Sequence, residues 1–240
     1  MKNITKAFLF AAALFLSGCA STNGNQTADD PFEGYNRAMF EFNDTVDRVA
    51  LKPVASAYRD YLPSFVQTAV HNFFSNIGDV WIMVNNFLQG KVENGASDVM
   101  RVAVNTTFGL GGILDIASEA GITKHNEDFG QTLGKWGVKS GPYVVLPFFG
   151  PSTLRDTAAL PFDIYGDPWT YTTPVSARNT GAAIRVVDTR ATLLKASNLM
   201  DDAALDRYAF MRDGYLQRRQ SLVFDGAPPP AKYEDDFYQP

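Results

Sequence analysis

Between Phe32 and Val49 the apolar residues Phe32, Tyr35, Met39, Phe42, Val46 and Val49 are separated by 3, 4, 3, 4 and 3 positions. At 3.6 residues per turn that spacing stacks all six on one face of a helix. Glu33, Arg37, Glu41, Asp44, Asp47 and Arg48 fill the opposite side. The rhythm returns at Ile184, Val187, Ala191 and Leu194, broken only by the terminal Asn198. The fold class it predicts is mainly α.

Other segments fit that frame. Pro53 and Pro63 each suit the first turn of a short helix after a break. Residues 65 to 88 are dense in aromatics but interrupted by Asn72, Asn76, Asp79, Asn85 and Asn86, which argue against a membrane-spanning helix. Gly78 predicts a bend there between two shorter amphipathic helices. A further helix is expected from about Lys91 to Asn105. Residues 141 to 150, β-branched and aromatic with two prolines, read as extended. Thr173-Pro174 has the form of an N-cap followed by proline. A last helix is expected from Asp201 or Asp202, carrying Leu205, Tyr208, Tyr215 and Leu222, with Arg218 and Arg219 suited to the negative pole of its dipole.

The amino terminus is of another kind. Lys2 and Lys6 precede ten apolar residues, Ala7 to Leu16, whereas a spanning helix needs about 20. A basic start and a short apolar core make a secretory signal, and Leu16-Ser17-Gly18-Cys19 resembles the bacterial lipobox. Residues 1 to 18 are therefore expected to be removed and Cys19, the chain's one cysteine, to be acylated. Ala20 follows Cys19 where an aspartate commonly marks inner-membrane retention, so the outer membrane is the expected destination. Residues 19 to 30 read as a flexible tether, 31 to 224 as the helical domain and 225 to 240 as a disordered tail. Losing residues 1 to 18 lowers Lys plus Arg from 21 to 19 against 26 acidic residues. That acidic balance argues against nucleic acid as a partner. With Cys19 given to lipid, no disulfide is available and packing must hold the body.

Signs of covalent chemistry are sparse. His71 and His125 do not begin an HExxH, no Walker loop occurs, and Gly150-Pro151-Ser152-Thr153-Leu154 lacks the second glycine of a nucleophile elbow. Glu127-Asp128 reads as solvated. No catalytic residue, metal ligand or cofactor is expected. The 18 Phe, 10 Tyr and 3 Trp point elsewhere. Each apolar stripe alone suits a core, but together they exceed what a small helical body needs, and a lipid anchor favours some of them facing acyl chains.

Several blocks carry a specific likeness. DPFEGYNRAMFEFN at 30 to 43, MVNNFLQG at 83 to 90, RVAVNTTFGLGGILDIA at 101 to 117, FGQTLGKWGVKSGPYVVLPFFGPSTLRD at 129 to 156 and TRATLL at 189 to 194 resemble the VacJ/MlaA family of outer-membrane lipoproteins. The resemblance runs in order over residues 30 to 220. It implies a ring-like, single-domain bundle of amphipathic helices with a hairpin-like segment, embedded in the periplasmic leaflet of the outer membrane. It implies an amphipathic channel that removes mislocalised phospholipids from the outer leaflet and maintains lipid asymmetry. The implied partners are phospholipid, a trimeric porin and a soluble periplasmic carrier serving an ATP-driven inner-membrane transporter. The family has no enzymatic activity and no cofactor. A scaffolding lipoprotein and a lipid hydrolase are the alternatives left open.

Two sites follow as expectations. Gly109, Gly111, Gly112 and Gly121 flank Ile113, Leu114 and Ile116, which suits a small apolar flap on flexible joints and matches the family's mobile hairpin; tight turns in a rigid corner are the alternative. Arg178, in the opening turns of the helix after Thr173-Pro174, is the candidate for a lipid phosphate, against a solvated surface arginine.

Overall fold

The computed structural model describes residues 30–229. The signal at 1 to 18, Cys19, the tether up to residue 29 and the tail from residue 230 lie outside the described residues.

Helix α1 (Glu33–Val46) passes through a π turn (Asp47–Leu51) into α2 (Lys52–Tyr61). The expected break before Pro53 is thus a widened turn in one continuous helical run. Proline has no N–H for the carbonyl four residues back, and a π turn accommodates that loss. Helix α3 (Ser64–Leu88) is a single helix of 25 residues, not two with a bend at Gly78. A glycine inside a helix costs about 1 kcal/mol, too little to break one packed along its length. A Cβ at Gly78 would stand 3.4 Å from Nη2 of Arg185, an ordinary van der Waals contact. Helix α4 (Val92–Thr107) doubles back along α3, close to the limits expected for it. Short helices α5 (Ile116–Glu119) and α6 (Phe129–Lys135) follow, capped by the side chains of Asp115 and Asp128.

The extended segment forms β1 (Tyr143–Leu146), paired antiparallel with β2 (Gly150–Thr153). Two asparagines of α1 fasten this hairpin. Asn36 donates to the Tyr143 carbonyl (3.1 Å) and accepts from the Val145 N–H (2.8 Å). Asn43 donates to the Leu146 carbonyl (2.9 Å) and accepts from the Phe148 N–H (2.8 Å). Seven helical residues rise roughly 10.5 Å and three strand residues roughly 10 Å, so the two spacings match. The second contact also holds Phe148 at a φ of 65°, a conformation uncommon outside glycine.

Helix α7 (Leu154–Gly166) and a 3-10 turn (Pro168–Tyr171) lead to α8 (Val175–Ala203), which packs against α2 through Ala55, Ala191 and Leu194. Thr173 does not cap α8. Pro174 occupies the cap position after a cis peptide bond, and no side chain caps the helix. Because α8 runs on through Asp201, the last helix, α9 (Arg207–Val223), begins later than expected. Asp206 caps it by accepting from the Ala209 N–H (3.1 Å), and Leu205 lies outside it, fully exposed.

The distribution of polarity is unusual. Among the described residues, ten apolar side chains are buried against sixteen polar or charged ones. Asn36, Asn85, Asn86 and Arg101 are inside, while Phe32, Tyr35, Phe42 and Val49 of the α1 stripe are 41–72% exposed. The stripe is therefore largely an outer surface, and the asparagine-bearing side of α1 is its buried side.

Candidate functional site

A cavity of about 690 Å³ is bordered by α3, the hairpin, α7, the 3-10 turn, α8 and α9, and of the sixteen buried polar residues Glu127 and Ser152 line it. Its walls are mostly apolar, with Trp81, Ile82, Phe149, Leu160, Ile164 and Val186. Across them runs a polar band made of Asp128, Asp156, Asp163, Asp167, Arg185 and Arg219.

Arg219 organises one end. Its Nη2 donates to Asp128 (2.9 Å) and Asp156 (3.0 Å), and its Nε stands 2.9 Å from the second Asp156 oxygen. Burial disfavours the charge on Arg219, but the two carboxylates outweigh it and hold its pKa above the ordinary value. Burial likewise pushes Asp128 up, and Arg219 more than reverses it. Both partners are ionised. Tyr215 donates to Asp156 (2.9 Å), and burial, then that carboxylate, raises its phenol pKa. A Cβ at Gly130 would come within 2.7 Å of both Asp156 and Arg219, so only glycine fits beneath the pair. Arg219 thus serves this network rather than the α9 dipole.

At the other end Arg185 pairs with Asp167 and lies 5.9 Å from the Phe74 ring centroid. Asp163 differs from both arrangements. Its Oδ1 accepts from Trp81 Nε1 and from the Phe129 N–H, each at 2.8 Å, and no cation reaches it among the described residues. Burial raises its pKa despite those donors.

Trp169 is shared between this cavity and an apolar groove of about 830 Å³ between α3 and α8, bounded by Phe65, Phe73, Ile113 and Ile184. A Cβ at Gly181 would meet the Trp169 ring at 2.0 Å, so that glycine seats the indole.

The cavity walls contain neither histidine. His71 lies beside Asp188 (3.1 Å) and His125 beside Asp98 (2.7 Å). Ser152 exchanges a hydrogen bond with Thr157 rather than with a base. Among the described residues no cluster of three His, Cys, Asp or Glu could hold a metal.

The glycine-flanked segment closes over the end of α4. Leu110, Gly111, Gly112 and Gly121 have φ of 56°, 75°, 93° and 77°, and a Cβ at Gly109 would meet the Leu114 carbonyl at 2.2 Å. Ile113 and Leu114 are exposed at 41% and 46%, and Ile116 is half-buried. Ile113 reaches the apolar groove, not the central cavity. Polar ties hold the segment: Asn72 donates to the Ile113 carbonyl (3.1 Å), Asn105 to Asp115 (2.9 Å) and Arg101 to Asp115 (3.0 and 3.2 Å). Arg178 stands apart from the cavity. Its Nη1 lies 3.4 Å from the Thr170 carbonyl, and the arginines of the cavity are Arg185 and Arg219.

Asp115 sets a pH window. Burial would raise its pKa, but hydrogen bonds from Ser118 and Asn105 and the charge of Arg101 lower it to about 2. A depressed folded value stabilises above the unfolded value of about 4 and is lost as pH falls through 2. Protection of the amides of residues 109 to 121, taken relative to the unstructured exchange rate at each pH, should therefore fall between about pH 4 and pH 2. A protection factor that is flat across that window would show that Asp115 does not hold the segment.

Residues 28–222 match the family model described as MlaA lipoprotein. The intermembrane phospholipid transport system lipoprotein MlaA of Escherichia coli (strain K12) is 37% identical over 217 residues, 88% of this chain and 85% of that protein. The protein of the same description from Haemophilus influenzae is 30% identical over 241 residues, covering 94% and 93%. An uncharacterized protein of Rickettsia bellii is 32% identical over 208 residues, covering 86% and 82%. A solved structure from work on the structural basis for maintenance of bacterial outer membrane lipid asymmetry is similar with a TM-score of 0.71 at 37% identity, over 81% of this chain and 98% of that one.

Proposed function

The chain belongs to the MlaA lipoprotein family, and on that premise we propose that its central cavity carries phospholipid out of the outer leaflet of the outer membrane. The lipid passes to a soluble periplasmic carrier that serves an ATP-driven inner-membrane transporter. The acylated Cys19 anchors the body in the periplasmic leaflet, beside a trimeric porin.

The observation that carries this reading is a polar-banded cavity inside a body whose large apolar side chains face outward. A phosphate headgroup cannot enter hydrocarbon cheaply without hydrogen-bonding partners. A path with Arg185 and Arg219 set among apolar walls supplies them while acyl chains stay in apolar surroundings. Exposed apolar surface on this scale suits a lipid environment. No helix among the described residues is long and apolar enough to cross a membrane. Relatives named for phospholipid transport support the same reading.

The segment from Gly109 to Gly121 acts in this scheme as a flap beside the path, with Ile113, Leu114 and Ile116 as its apolar face and the glycines as joints. Phosphate contact falls to Arg185 rather than to Arg178.

The decisive measurement is outer-leaflet lipid composition in a strain lacking this chain. Phospholipid should accumulate there, and an unchanged leaflet would overturn the transport reading. A cysteine pair tying Leu114 to α3 beside Asn72 should stop transport, with reductant restoring it. Transport that continues with the pair verifiably crosslinked would show the segment to be packing only.

A further inference from the structure

We propose that the cavity selects phospholipids bearing a primary ammonium, with Asp163 receiving the ammonium and Arg185 the phosphate. This rests on the transport reading and adds a substrate class to it.

The charge inventory points there. Four carboxylates face the polar band, Asp128, Asp156, Asp163 and Asp167, against two guanidinium groups. Arg219 is divided between Asp128 and Asp156, and Arg185 is shared with Asp167. Glu127, a fifth carboxylate lining the cavity, is held by Lys91 and Gln89. Asp163 alone is left with uncharged donors, both on Oδ1, and its Oδ2 has no hydrogen-bond partner among the described residues. A carboxylate so placed has no ion-pair partner within reach among the described residues; burial raises its pKa although the charge of Arg219 pulls the other way. An ethanolamine ammonium supplies both the charge and the N–H donors.

Arg185 suits the phosphate. Only one of its nitrogens donates to Asp167. A glycerol headgroup brings a net negative charge to a band that is already net negative. A choline headgroup brings the charge without an N–H to donate.

The test uses the full-length acylated protein in detergent, equilibrated with vesicles containing equal amounts of dioleoyl phosphatidylethanolamine, phosphatidylglycerol and phosphatidylcholine. Bound lipid is extracted and quantified by mass spectrometry. The wild type should hold phosphatidylethanolamine over phosphatidylglycerol by roughly tenfold, as one charge-assisted hydrogen bond predicts. Asp163→Asn, which keeps the acceptor for Trp81 and Phe129, should bring that ratio close to the vesicle ratio. A series on the wild type, from ethanolamine through its mono- and dimethyl forms to choline, should decline stepwise and decides the question even if the variant fails to fold. Bound lipid at the vesicle ratio in the wild type, a preference unchanged in Asp163→Asn, or a flat methylation series would overturn the proposal. A wild type that binds no lipid at all would overturn the transport reading together with it.

Discussion

Arg101→Met should destabilise the fold by about 3–5 kcal/mol, the cost of breaking a buried ion pair from one side. Arg101 is 1% exposed, bonds both oxygens of Asp115, and donates to the Ile122 carbonyl (2.6 Å) and to Ser118 (3.1 Å). Its Nε is 3.5 Å from buried Asp79, an ion-pair distance rather than a hydrogen bond. Methionine keeps most of the volume but leaves Asp79 with Lys124 alone and Asp115 with neutral donors. At roughly 2–4 °C per kcal/mol for a chain of this length, the unfolding midpoint should fall by about ten degrees. Adding Asp115→Asn should recover part of the loss, since one uncompensated charge then disappears. A shift under about 1 kcal/mol would mean that the network is solvated in the folded state.

Cys19→Ala should have the larger effect in the cell. A single acyl chain holds a protein only marginally at a membrane, whereas two or three hold it firmly, and in the proposed arrangement all of them sit on the chain's one cysteine. The expected result is an unacylated precursor with its signal uncleaved or miscleaved, no transport, and a body that still folds. Labelling with radioactive palmitate checks it directly, because label that persists in the variant would place the anchor elsewhere.

The local sequence pattern recovered α1, α4 and the extended run of β1, but not its pairing with β2. It misplaced three boundaries that neighbours decide. Gly78 reads as a bend, but a long helix packed along its length carries a single glycine without breaking. Thr173 has the right chemistry for a cap, but Pro174 takes the cap position. The start of α9 depends on where α8 ends, and Asp206 competes with Asp201 and Asp202 on equal sequence terms. The orientation of the α1 stripe was also open, since 3, 4, 3, 4 spacing defines a face without saying what that face meets. Its resolution comes from Asn36 and Asn43, seven positions apart on the buried side. The cavity was the least legible part. Trp81, Asp128, Asp163, Arg185 and Arg219 come from five separate segments, and no local spacing unites them. The family resemblance supplied the expectation of a channel without identifying these residues.

The hairpin's fastening has a consequence for solubility before assembly. A two-stranded sheet presents two open edges, and an open edge is a template on which another chain can add a strand. In this protein the amide of Asn36 satisfies the Tyr143 carbonyl and the Val145 N–H, so α1 stands in for the missing neighbour of β1. A primary amide presents one donor and one acceptor side by side, as a backbone peptide group does. That edge is closed as soon as α1 docks. A lipoprotein crossing the aqueous periplasm with so much apolar surface uncovered therefore carries one fewer nucleus for intermolecular β-pairing.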